Sequence, residues 1–168
     1  MKISSASLDG PDDPRKALTS DIHLRGFDYW RSIAGSASLP LREAFEPADV
    51  PDLLPHLILL EVTENPIDFR YRVIGGVVRQ HLLGNYTGRW ISSIPHQAAP
   101  STIHSNLAKA VRNRSPLLSD TPYIGPQKDF LKSDELILPL MEADERVSRL
   151  LVLLDFVRRP LEERFSGR

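Results

Sequence analysis

The sequence contains no cysteine, and that one absence removes disulfides, thiolate nucleophiles, cysteine-based zinc sites and iron–sulfur clusters together. Charge of one sign is lacking too: 21 Lys+Arg stand against 22 Asp+Glu, a net charge of -1, and no basic run tracks phosphates or an anionic lipid surface. Neither nucleic acid nor a membrane is expected as a partner. No stretch approaches the roughly 18 apolar residues that a membrane-spanning helix needs. Met1 to Arg15 has no apolar h-region and carries Asp9, Asp12 and Asp13, unlike a secretory signal, so a cytoplasmic location is expected. G-x-S-x-G, H-E-x-x-H, P-loop and G-x-G-x-x-G motifs are all missing, and no enzymatic activity is expected. The five histidines (His23, His56, His81, His96, His104) form no i,i+4 pair, so no metal site is expected.

What is present is one globular domain: 168 residues, 41% hydrophobic and 26% charged, are enough to bury a core. Residues 1–20, dominated by Ser, Asp, Gly and Pro, read as a poorly ordered leader. The domain is placed at 21–157, and a charged tail at 158–168 is expected to continue as a helix. From Asp21 to Ala34, Leu24, Phe27, Trp30 and Ile33 recur every three residues between Ser20 or Asp21 as N-cap and Gly35 as a stop, which predicts an amphipathic helix. Four prolines between Leu39 and His56 allow only short helical turns. Leu57–Thr63 and Asp68–Ile74 then read as a hairpin around a tight turn at 64–67. In that pairing Glu61 falls opposite Arg70 and Leu59 opposite Arg72.

A short helix over 77–83, the loop Tyr86 to Trp90 and a longer helix capped by Ser101 and ending at Asn113 follow. Three more strands are predicted at 117–124, 135–141 and 147–156, the last two as a second hairpin. The fold class is therefore α+β: a five-stranded antiparallel sheet with short helices inserted on one face and an amphipathic helix at its N-terminal side. The first strand and the last two are apolar at both parities, so both sheet faces must be covered. The inserted helices can cover only one. The other requires the N-terminal helix, a partner subunit, or both.

This order of elements resembles the PAS arrangement, and several landmarks resemble a family of proteobacterial, chiefly alphaproteobacterial, single-domain PAS proteins. They are Tyr29-Trp30-Arg31-Ser32, Leu39-Pro40, Pro51 to Leu57, Phe69 to Arg72 with Gly75, Gly84 with Tyr86 to Arg89, and Leu138-Pro139-Leu140. The family often has Thr after the strand-ending Gly, where this chain has Gly76. The resemblance implies a sensory or interaction domain. Light sensing through a cysteinyl–flavin adduct, known in this superfamily, is closed by the lack of Cys. His104 lies in the helix that supplies the iron ligand in haem-binding PAS domains, but as a lone histidine near the helix start it reads better as capping or solvated. No cofactor is expected.

Candidate ligand contacts are Arg72, Tyr86, Trp90, His104 and Tyr123. Arg72 would hold a small anionic molecule through its bidentate guanidinium, with aromatic rings as walls. In the structural alternative Arg70 pairs across the hairpin with Glu61 and stacks its stem on the sheet. Tyr86 and Trp90 equally suit a role of fastening their loop to the core. Phe27 and Trp30 are expected at the interface of a homodimer. About a dozen residues follow the last strand, so output is expected to pass through an unknown signalling protein. The expected function is a non-enzymatic sensor that binds a small ligand, a protein partner or both; the alternative is a dimerisation or scaffold module with a filled core.

Overall fold

The change of hydrophobic period at Leu57 marks the start of the sheet proper, and the strands follow the pattern closely. The computed structural model describes residues 5–7 and 13–165. Its helices are α1 (Asp21–Ala34), α2 (Gly76–Gln80), α3 (Thr102–Asn113) and α4 (Leu161–Arg164). Its strands are β1 (Ser5–Ser7), β2 (Leu57–Thr63), β3 (Asp68–Ile74), β4 (Leu117–Pro122), β5 (Phe130–Met141) and β6 (Val147–Arg158). They form one antiparallel sheet in the order β1-β4-β5-β6-β2-β3. The five expected strands are all there, and β5 and β6 run longer than expected.

The sixth strand comes from the segment read as a poorly ordered leader. Ser5–Ser7 pairs with Leu117–Ser119, giving the otherwise open edge of β4 a hydrogen-bonding neighbour. Downstream, Asp13 caps a 3-10 turn at Pro14–Ala17, and Leu18 is buried in the core. Residues 1–4 and 8–12 of this stretch lie outside the described residues; where it is described, it supplies an edge strand, which needs only backbone groups, and one buried anchor. The charged tail does continue, as the short α4.

Alternation along β6 assigns the two sheet faces. Leu151 and Leu153, with their partners Leu57, Leu59, Leu136 and Leu138, point to one face, and α1 packs on it. Gly26 permits the close approach, since a Cβ there would overlap Leu153 Cδ1. Ser20 caps α1 as expected, accepting from the His23 amide at 3.4 Å, and His23 donates from Nε2 to the Leu153 carbonyl at 2.9 Å. Phe27 and Trp30 are only 2% and 1% exposed in the single chain. They are therefore not the dimer anchors expected of them: the apolar face of α1 is used up on its own sheet.

The opposite face carries Ile58, Leu60, Ile137, Val152 and Leu154, and α3 crosses it. Ser101 caps α3 by accepting from the His104 amide at 3.0 Å, and Arg114 closes it in the left-handed region at φ 51°. Among the described residues no helix is long and apolar enough to cross a membrane.

Candidate functional site

Between α3 and the inner sheet face the packing leaves a cavity of about 80 Å³. Its walls are mainly apolar: Ile103 and Leu107 from α3, Ile58 and Leu60 from β2, Ile137 from β5, Val152 and Leu154 from β6. Tyr71 of β3 adds a ring, its hydroxyl donating to Gln97 Oε1 at 2.7 Å, and burial raises its pKa. The polar groups converge at the β4–β5 side. Ser119 and Thr121 lie opposite Glu135 and Ser133 across the strand pair, so pleating brings all four to one face.

Glu135 is the hub. Its Oε1 accepts from Thr121 at 2.6 Å and Ser133 at 2.8 Å, and its Oε2 accepts from Ser119 at 3.1 Å. No Lys, Arg or His lines the cavity among the described residues. Desolvation therefore wins over the three hydroxyl bonds, which alone would lower the pKa, and the carboxyl is pushed up to about 7. Nearby Asp134 adds a smaller push in the same direction. From α3 the same cavity is lined by Asn106, only 8% exposed, with no acceptor for its side-chain Nδ2.

None of the five residues expected to hold a ligand lines this cavity. Arg72 leaves from the opposite parity to Tyr71, its side chain 45% exposed, and reaches Glu61 Oε2 at 3.6 Å. A bulge between Leu59 and Leu60 places Val73, not Arg72, opposite Leu59, whereas Glu61 does face Arg70 as expected. Glu61 thus serves both arginines. His104 spends its Nε2 on the Ile67 carbonyl at 3.2 Å and lays its ring edge-on to Phe69. Its backbone position near the helix start explains this, one residue off the stripe that faces the sheet.

The aromatic loop candidates are anchors. Tyr86 stands behind Tyr71, ring centroids 6.1 Å apart, and the loop docks on the free edge of β3 through Gly88 N to Tyr71 O and Tyr71 N to Arg89 O. Trp90 bridges to Arg70 and takes that guanidinium over its ring at 5.7 Å, on the face away from the cavity. Tyr123 shares a hydrogen bond of 2.9 Å with His81 Nδ1 in a cluster with Phe130 and Phe156. Burial in that cluster lowers the His81 pKa. Among the described residues no group of three or more acidic or imidazole side chains could hold a metal ion.

A family model described as "PAS domain" matches residues 19–155, most of the chain. The protein belongs to the PAS domain family. The PAS domain sheet carries one strand more than the five expected, and its helices divide between the two faces. Among solved structures, one similar to this PAS domain is titled a sensory box sensor histidine kinase from Vibrio cholerae. It is 14% identical with a TM-score of 0.48, and the match covers 67% of this chain and 90% of that one. Another is titled an RNA-binding light-oxygen-voltage receptor, 14% identical with a TM-score of 0.49, the match covering 94% of this chain and 39% of that one. No curated protein matches the chain.

Two residues that sequence reasoning missed were open to it. Asn106 interrupts the stripe Ile103, Leu107, Ala110 on α3, a polar side chain on a face that must be buried. Glu135 begins an apolar strand run, and the alternating Ser119 and Thr121 of β4 supply hydroxyls at its spacing.

Proposed function

We propose that this PAS domain is a cytoplasmic, non-enzymatic sensory domain that takes a small ligand into the cavity between α3 and the inner sheet face. Occupancy would be passed on through contacts with another protein. The observation that carries this reading is Asn106, whose buried Nδ2 has no acceptor, lining the same cavity as Glu135. Leaving such a donor unpaired costs about 1–3 kcal/mol, and a bound group that accepts from it recovers that cost.

An uncharged ligand suits this cavity better than the small anion expected from Arg72. Arg72 is on the other face of the sheet, and a carboxylate ligand would meet Glu135 with no cation beside it. A homodimer remains compatible with this function, through a surface other than Phe27 and Trp30.

The test is a melting-temperature screen of small molecules against the wild type and Ile103→Phe, which fills the cavity from α3. Compounds that stabilise the wild type and not the folded variant support the reading. If stabilising compounds act equally on both, the site lies elsewhere.

A further inference from the structure

Resting on the cavity reading above, we infer that the ligand is a short aliphatic molecule with a neutral hydroxyl head, held by that one group between Asn106 and Glu135. Size sets the first limit. A cavity of about 80 Å³ is well below the roughly 300–1,000 Å³ of a drug-sized site, so only a small molecule of a few heavy atoms is accommodated. The walls set the second: Ile103, Leu107, Ile137 and Val152 suit a short hydrocarbon body and offer it no polar partner.

Counting donors and acceptors sets the third. A carboxylate has about four acceptor positions. Thr121 and Ser133 occupy two at Oε1 and Ser119 one at Oε2, leaving an acceptor position at Oε2. Asn106 presents the converse deficit, a donor without an acceptor. A head group that donates once and accepts once answers both, and a hydroxyl does so with a single oxygen. An alkylammonium only donates and leaves Asn106 unpaired. A carboxylate only accepts, and like charge sets it against Glu135. The hydroxyl also tolerates either protonation state of Glu135, since it can accept from the acid as readily as it donates to the anion.

The experiment titrates isotope-labelled protein near neutral pH with n-butanol, n-butylamine hydrochloride and sodium butyrate, followed by amide NMR, with dissolved xenon as the apolar control. The expected result is saturable movement of the Asn106 side-chain NH₂ and of the Ile103 and Leu107 amides with n-butanol. Butylamine and butyrate should bind about tenfold more weakly or not at all, and Asn106→Leu should weaken n-butanol by about tenfold, the equivalent of one lost hydrogen bond. Asn106→Met serves in its place should Asn106→Leu not fold. Butyrate or butylamine binding as well as n-butanol, unchanged n-butanol binding in the Asn106 variant, or movement with xenon alone would each overturn the hydroxyl proposal while leaving the cavity reading intact. No movement with any of the four, xenon included, overturns the cavity reading itself.

Discussion

Trp30 donates its indole N–H to the carbonyl oxygen of Pro139 at 2.8 Å, tying the C-terminal half of α1 to the C-terminal end of β5. The two are 109 residues apart in the chain. Pairing with β4 stops at Leu117–Ile137, so Pro139 sits on a stretch of β5 where its missing N–H breaks no ladder on that side. Two of the landmark motifs, the Trp30 segment and Leu138-Pro139-Leu140, are thereby halves of one contact.

Trp30→Phe should keep most of the packing and lose the bond, costing about 1–3 kcal/mol for a buried carbonyl left unpaired. Trp30→Ala should cost about 3–5 kcal/mol. The pair Phe27→Glu with Trp30→Glu should yield an unfolded chain, not a folded monomer, because it buries two unpaired carboxylates beneath α1. Urea denaturation and circular dichroism read all three.

Gly26→Ala tests the closeness of α1 to β6. Alanine is the better helix former by about 1 kcal/mol. Here its Cβ meets Leu153, which is 2% exposed and has nowhere to turn, so a net loss of about 1–3 kcal/mol is expected in chemical denaturation.

Arg72→Met should leave stability within about 1 kcal/mol of wild type, as suits a half-exposed ion pair on the outer face. Any ligand bound in the cavity should keep its affinity. A loss of ligand binding in a folded Arg72→Met protein would place the site on the wrong side of the sheet.

The pH dependence has two arms of opposite sign. Glu135 titrates near 7 in the fold against 4.5 in the open chain, so between these values the native state holds a proton the unfolded state has released. Its contribution to stability therefore falls as pH rises from 4.5 to 7 and stays low above, by roughly 3 kcal/mol at most. Of the groups around it, only Asp134 adds a charge effect to this shift, while the facing α3, β2 and β6 residues that line the cavity are uncharged. His23 works the other way: burial under α1 lowers its pKa, so stability is lost as pH falls through 6.5 and below. Glu135→Gln should flatten the first arm and leave the second, in denaturation curves recorded from acid to mildly alkaline pH.

Much of the frame was legible in the sequence because period and caps carry it. The hairpin bounds at Leu57–Thr63 and Asp68–Ile74, the span of α1, and the Ser101 cap all follow local rules. The site was much less so. Arg72 and Trp90 attract notice by chemistry, yet strand parity and the bulge at Leu59–Leu60 decide which face each serves. Parity relative to α1 and α3 depends on long-range packing, which no local pattern states. Phe27 and Trp30 read as interface anchors for the same reason: an apolar stripe shows that a surface is covered, not which surface covers it.

The central claim is that a ligand enters between α3 and the inner sheet face. A crystal structure under xenon pressure tests it most directly, since xenon needs only an accessible apolar void. The account predicts a xenon atom in contact with Ile58, Ile103 and Ile137, with α3 in place. Side chains closed over that space, with no xenon between α3 and the sheet, would contradict it.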